Sequence, residues 1–78
     1  MSKYRPLEDY LDKLVVKRIR LSINEIETIL DLKLPASSKK YREWWANNQS
    51  GHSHAVWLNV GWKVQSLELG EYVNFEKE

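Results

Sequence analysis

The chain has no cysteine. Disulfides and thiolate-bound metal are therefore excluded, and so is a thiol nucleophile. It has no apolar run near the ~20 residues that a membrane span needs, and the opening MSKYRPLEDYL lacks a signal-peptide core. These absences predict a cytoplasmic protein with no membrane partner. No internal repeat, low-complexity stretch or linker occurs, so residues 1–78 read as a single domain. There is no glycine-rich phosphate loop and no supported Ser-His-Asp spacing, which points away from an enzyme. A net charge of +1 marks neither a strong polyanion binder nor a disordered acidic tail.

What is present is aromatic. The chain holds four Trp, four Tyr and one Phe, and each can bury roughly 150–250 Å². A chain this short buries only about 60% of its unfolded surface, so the core must rest on these rings. The charges are unevenly spread. Residues 1–50 carry ten Lys/Arg against seven Asp/Glu, a balance of +3, and residues 51–78 carry two Lys against four Glu, a balance of −2. Any basic face belongs to the first part of the chain.

Hydrophobic spacing predicts a helix over residues 4–16, with Leu7, Tyr10, Leu11 and Leu14 on one stripe. Lys17-Arg18-Ile19-Arg20-Leu21 alternates and reads as a short edge strand guarded by its charges. Ser22-Ile23-Asn24-Glu25 is a capping box, and Leu21 and Ile26 form a hydrophobic staple around it. The helix it opens ends near Asp31–Leu32, because Pro35 disfavours helical geometry at Leu34. A third helix is expected from Ala36 or Ser38 to Trp45 or Asn47, with Tyr41, Trp44 and Trp45 on one face and Ser37 or Ser38 as its cap. Asn47-Asn48-Gln49-Ser50-Gly51 is turn chemistry. Ser53 is expected to cap a short fourth helix over His54–Val60, closed by Gly61 in a left-handed conformation. A hairpin follows. Trp62, Val64 and Ser66 alternate with Lys63, Gln65 and Leu67, the turn is Leu69-Gly70-Glu71, and Tyr72–Phe75 returns before a frayed terminus.

This order predicts an α+β fold with three to four helices, a small antiparallel sheet and a C-terminal hairpin. It resembles a winged helix-turn-helix, in which the helix before the hairpin enters a DNA groove. Two features depart from that pattern. The hairpin tip is acidic, and residues 53–60 are nearly uncharged, whereas duplex binding neutralises several phosphates. DNA contact is therefore assigned to the third helix and the turn after it.

The middle of the chain carries a second resemblance. Leu34, Pro35, Ser37, Tyr41, Trp44, Trp45 and Asn47, followed by Trp57, Gly61 and Trp62, resemble an uncharacterised family of small bacterial and phage-encoded domains. Its pattern is Leu-Pro-x-Ser-Ala-x-x-Tyr-x-x-Trp-Trp-x-Asn, then Trp, then Gly-Trp; Ser38 stands where alanine is usual. The resemblance implies a shared fold and no particular activity.

The functional expectation is a non-catalytic DNA-binding module. Lys39, Lys40 and Arg42, placed at a helix start, would contact phosphates. Trp44 is expected to be the most exposed tryptophan and free to stack, while the other three form the core. Asn47, Asn48, Ser53 and His54 would approach bases or backbone. The competing reading is a small protein-interaction module, such as a phage inhibitor docking on a bacterial defence complex, because Trp and Arg are also common interface anchors. His52 and His54 lack the third and fourth ligands that zinc requires, so no metal and no cofactor is expected.

Overall fold

The computed structural model describes residues 3–48 and 54–78. The apolar stripe of α1 (Arg5–Asp12) comes from Leu7 and Leu11, and Pro6 sits in its first turn, where a missing N–H costs nothing. The helix ends at Asp12, short of the expected residue 16. The β-branched pair Val15–Val16 is poor helix material, and the chain leaves the helix so that the next residues can reach the sheet. Val15 and Val16 are left 97% and 48% exposed.

Strand β1 (Arg18–Ser22) runs directly into α2 (Ile23–Leu30). The capping box forms as expected. The Glu25 N–H donates to Ser22 Oγ at 3.0 Å, and the Ser22 N–H donates to Glu25 Oε1 at 2.9 Å. Loss of such a cap costs about 1 kcal/mol. Asp31 closes the helix in the left-handed region at φ 54°.

The expected long third helix is two pieces. Helix α3 spans Ala36–Lys40, Tyr41 is extended at φ −120°, ψ 124°, and a 3-10 helix covers Arg42–Trp45. The cause is a competing bond. The Trp45 indole N–H donates to the Ser38 carbonyl at 2.8 Å, an oxygen that would otherwise accept from the next helical turn. No side chain caps α3. Ser38 is fully buried and its hydroxyl donates to the Pro35 carbonyl at 2.7 Å.

The fourth helix is a 3-10 helix over Val56–Val60, stopped by Gly61 at φ 81°. Strand β2 (Trp62–Glu68) and strand β3 (Tyr72–Lys77) form the hairpin, with Gly70 at φ 76° in the turn. The sheet is antiparallel in the order β1-β3-β2. Val64 pairs with Phe75 but Ser66 pairs with Asn74, so Gln65 is an extra residue. This bulge reverses the alternation. Leu67, opposite the buried Val73, takes the inward place expected for Ser66. The terminus is held rather than frayed. The Lys77 N–H donates to Lys17 O at 2.8 Å and the Glu78 N–H to Gly61 O at 2.9 Å.

The architecture is thus α+β, with three α-helices among the described residues and one three-stranded sheet. The core lies between α1, α2 and the inner sheet face. Trp45, Trp57, Trp62 and Phe75 fill it, with Trp45 and Trp57 stacked at 5.9 Å and Trp57 edge-on to Phe75 at 5.8 Å. Truncating one such ring to alanine typically costs about 3–5 kcal/mol.

Candidate functional site

The segment that carries most of the expected site residues runs from α3 through the 3-10 helix to Asn48. Because the helix breaks at Tyr41, the ring faces separate. Trp45 goes into the core, whereas Tyr41 is 60% exposed. The expectation that Tyr41, Trp44 and Trp45 share one face is therefore corrected by the break. Lys39 and Lys40 close α3 and Arg42 follows it, so the three cations do not gather at a helix start.

Each cation has its own setting. The Lys39 ammonium lies 3.4 Å from Glu27 Oε2. Lys40 is exposed on the last turn of α3. Arg42 reaches across to the hairpin and donates from Nη1 to the Leu67 carbonyl at 3.3 Å. Lys40, Tyr41 and Arg42 are consecutive and all exposed.

Glu27 was not among the expected site residues. It is buried, its Oε2 accepts the Leu34 N–H at 2.8 Å, and Lys33 lies 3.7 Å from Oε1. The Leu34 hydrogen bond, with Lys39 and Lys33 adding favourable charge against a desolvation cost, holds this carboxyl below its ordinary value of 4.5. A signal was present in the sequence. Glu27 falls at i+4 from Ile23 and i+1 from Ile26, inside the stripe that buries Ile23, Ile26 and Leu30. A carboxylate on a buried stripe requires partners.

The aromatic expectation holds in its main part. Trp45, Trp57 and Trp62 are buried, and Trp44 is the half-buried one. Trp44 is nevertheless engaged. The His54 ring stacks on it at 3.8 Å with planes 10° apart, and the Tyr4 ring meets it edge-on at 6.0 Å. The His54 Nε2–H donates to the Trp44 carbonyl at 2.6 Å, which fixes the tautomer at that nitrogen. Trp62 differs from its fellows, since its buried indole N–H has no hydrogen-bond partner among the described residues.

Asn47 is built into the frame. Its Oδ1 accepts from the Trp57 indole at 3.0 Å and from the Val64 N–H at 2.8 Å, while its Nδ2–H donates to the Val64 carbonyl at 2.9 Å. The carboxamide thereby acts as one residue of an extra strand on the outer edge of β2. Asn48 follows on the exposed side. Ser53, with its expected capping and contact roles, lies outside the described residues. Among the expected residues, the structure brings together Lys40 and Arg42 outside, and Trp44, His54 and Asn47 against the fold.

Fold and site together define a small α+β domain in which a tryptophan-rich segment is tied by side chains to its own sheet. The chain belongs to the family described as Domain of unknown function (DUF7662), whose model matches residues 4–78. No curated protein and no solved structure matches it. Among the described residues, no helix is long and apolar enough to cross a membrane.

Proposed function

We propose that the domain is a non-catalytic, cytoplasmic DNA-binding module of winged-helix type. The order helix-strand-helix-helix, then two 3-10 helices and strand-strand, with the first strand beside the last, supports this reading. In that frame, α2 and α3 form the helix-turn-helix and β2–β3 form the wing. The likeness is one of architecture, which hosts many functions. The observation that carries the reading is the exposed run Lys40-Tyr41-Arg42, with Tyr41 in extended backbone. An open ring between two cations offers a base a stacking surface and offers the flanking phosphates their counter-charges.

Lys39 adds a third cation, shared with Glu27, and Asn48 adds a polar group beyond the 3-10 helix. Trp44 is half-buried against His54 and Tyr4, so Tyr41 rather than Trp44 is the stacking surface in this reading. Asn47 serves the fold. The hairpin end carries Glu68 and Glu71, and Arg42 stands between it and the phosphates through its bond to Leu67 O.

The test is a fluorescence-anisotropy titration of labelled random-sequence duplex and single-stranded DNA over a salt series. Three phosphate contacts give a log–log slope of about −2 to −3, or about 40-fold weaker duplex binding between 50 and 200 mM salt. The combined Lys39→Ala, Lys40→Ala, Arg42→Ala variant keeps its circular dichroism and loses the binding. Absence of wild-type binding at 50 mM salt, or a variant that binds as well as wild type, overturns the assignment.

A further inference from the structure

The pairing register shows which main-chain groups of β1 point away from the sheet. The Lys77 N–H bonds Lys17 O, and the Ile23 N–H bonds Glu71 O. With Arg18 opposite Glu76 and Arg20 opposite Asn74, the ladder to β3 runs through residues 17, 19, 21 and 23. The N–H and C=O groups of Arg18 and Arg20 therefore point outward. No strand pairs with them among the described residues. Ser22, the next outward residue, already spends its N–H on Glu25.

Three further observations describe what would fit there. Residues 13–24 contain Lys13, Lys17, Arg18 and Arg20 and no carboxylate. The arginines are laid along the outer sheet face. Arg18 lies 3.5 Å from Glu76, and Arg20 covers the Tyr72 ring at 4.1 Å while donating to Asn74. On the other side, β1 borders an apolar groove between α1 and α2. One cavity there, about 310 Å³, is lined by Tyr10, Leu21, Thr28 and Ile29 with Asn24 and Glu25, and a neighbouring one, about 620 Å³, by Pro6, Tyr10, Leu14 and Ile29 with Asp9 and Lys13. Val15 and Val16 stand exposed at the start of the same edge.

We propose that the open edge of β1 is a strand-addition site for an acidic, extended segment of a partner polypeptide. Main-chain groups of the partner would bond Arg18 and Arg20. Its residues on the outer face would present carboxylates to those arginines, and the alternate ones would place apolar side chains into the groove. This is the pattern of strand addition, in which backbone bonds give affinity and alternate side chains give specificity. Nucleic acid suits the edge less well, because it has neither a peptide ladder nor aliphatic side chains for the groove. A second copy is disfavoured, since two such edges would set Lys17, Arg18 and Arg20 against their own kind. The surface is separate from the Lys40–Arg42 contact, so the two proposals stand or fall independently.

A displayed library of random linear peptides, panned on the intact domain, tests it. The enriched sequences should alternate Asp or Glu with Val, Ile or aromatic residues. A synthetic peptide from that pool should slow exchange of the Arg18 and Arg20 amides in the isotope-labelled protein. N-methylation of alternate peptide amides, which removes the ladder donors, should weaken binding by about tenfold or more. So should the Arg18→Glu, Arg20→Glu double variant. The proposal is overturned by a pool without acidic enrichment, by no enrichment at all, by protection confined to other amides, or by binding that survives N-methylation. The N-methyl arm leaves the protein unaltered, so it decides even if the double variant does not fold.

Discussion

Along β2, the outward N–H and C=O of Val64 are both bonded by one carboxamide, that of Asn47, and the Leu67 carbonyl is met by Arg42. Along β1, the outward groups of Arg18 and Arg20 meet no strand among the described residues. Both edges belong to one three-stranded sheet, yet one is closed by side chains and the other is left available. A sheet edge needs bonds rather than a strand as such. Residues 41–48 supply those bonds with little chain. To do so they leave the helix that their own spacing favours. The same departure delivers Trp45 to Ser38 and gives the Trp57 indole its acceptor.

Breaking the closed edge carries the largest expected effect. Asn47→Ala removes three hydrogen bonds at once and strands the indole N–H of the fully buried Trp57. A buried donor without a partner costs about 1–3 kcal/mol, and the Val64 pair adds to it. The total should be about 3 kcal/mol. For a domain of this size that lowers Tm by roughly 12–24 °C. Asn47→Asp keeps the acceptor for Trp57 and Val64 but turns a carboxylate oxygen toward Val64 O, so it should recover only part of the loss. Thermal melts followed by circular dichroism check both. Equal losses in the two variants would show that the accepted bonds contribute little.

Glu27 fastens the same side of the molecule, joining α2 to the Leu34 amide and to Lys39 of α3. Gln keeps an oxygen for the Leu34 N–H and loses the charge, so Glu27→Gln should cost about 1 kcal/mol at neutral pH, the difference between a charged and a neutral hydrogen bond. The sign of its pH dependence follows from the lowered carboxyl. The contribution is fully present above the ordinary value of 4.5 and is lost as pH falls below it toward the folded-state value. Urea denaturation of wild type and Glu27→Gln at neutral and acidic pH should therefore show a gap that narrows in acid. A gap that is constant with pH would mean the carboxylate charge is not what holds the turn.

The sequence was most legible where the controlling contacts are local. Ser22 and Glu25 are three residues apart, and Gly61 and Gly70 set their own turns, so the capped helix, the stop and the hairpin were all readable. It was least legible where a distant partner outbid a local preference. Ala36–Trp45 has acceptable helical spacing, and nothing within it announces that Trp45 will bond back to Ser38 or that Asn47 will bond Val64, 17 residues on. Alternation in Trp62–Leu67 likewise hides the extra Gln65, which only the pairing with β3 exposes. The candidate site inherits these limits. Lys39, Lys40 and Arg42 stand out as charge, but the exposed setting of Tyr41 depends on the unannounced break. Glu27 was readable as a carboxylate on an apolar stripe.

Arg42 gives the smallest change in stability and separates the two roles of its segment. Its bond to the Leu67 carbonyl is 3.3 Å long and exposed, so water can replace it when the side chain is removed. Arg42→Ala should shift stability by no more than about 0.5 kcal/mol, against the several-fold larger cost at Asn47. If the exposed cations hold phosphate, the same substitution should weaken duplex binding and make its log–log salt slope about one unit less steep. The two measurements on one variant then distinguish edge closure from ligand contact. A large stability loss with an unchanged salt slope would place Arg42 with Asn47, as part of the frame, and leave Lys39 and Lys40 as the only cations of the proposed interface.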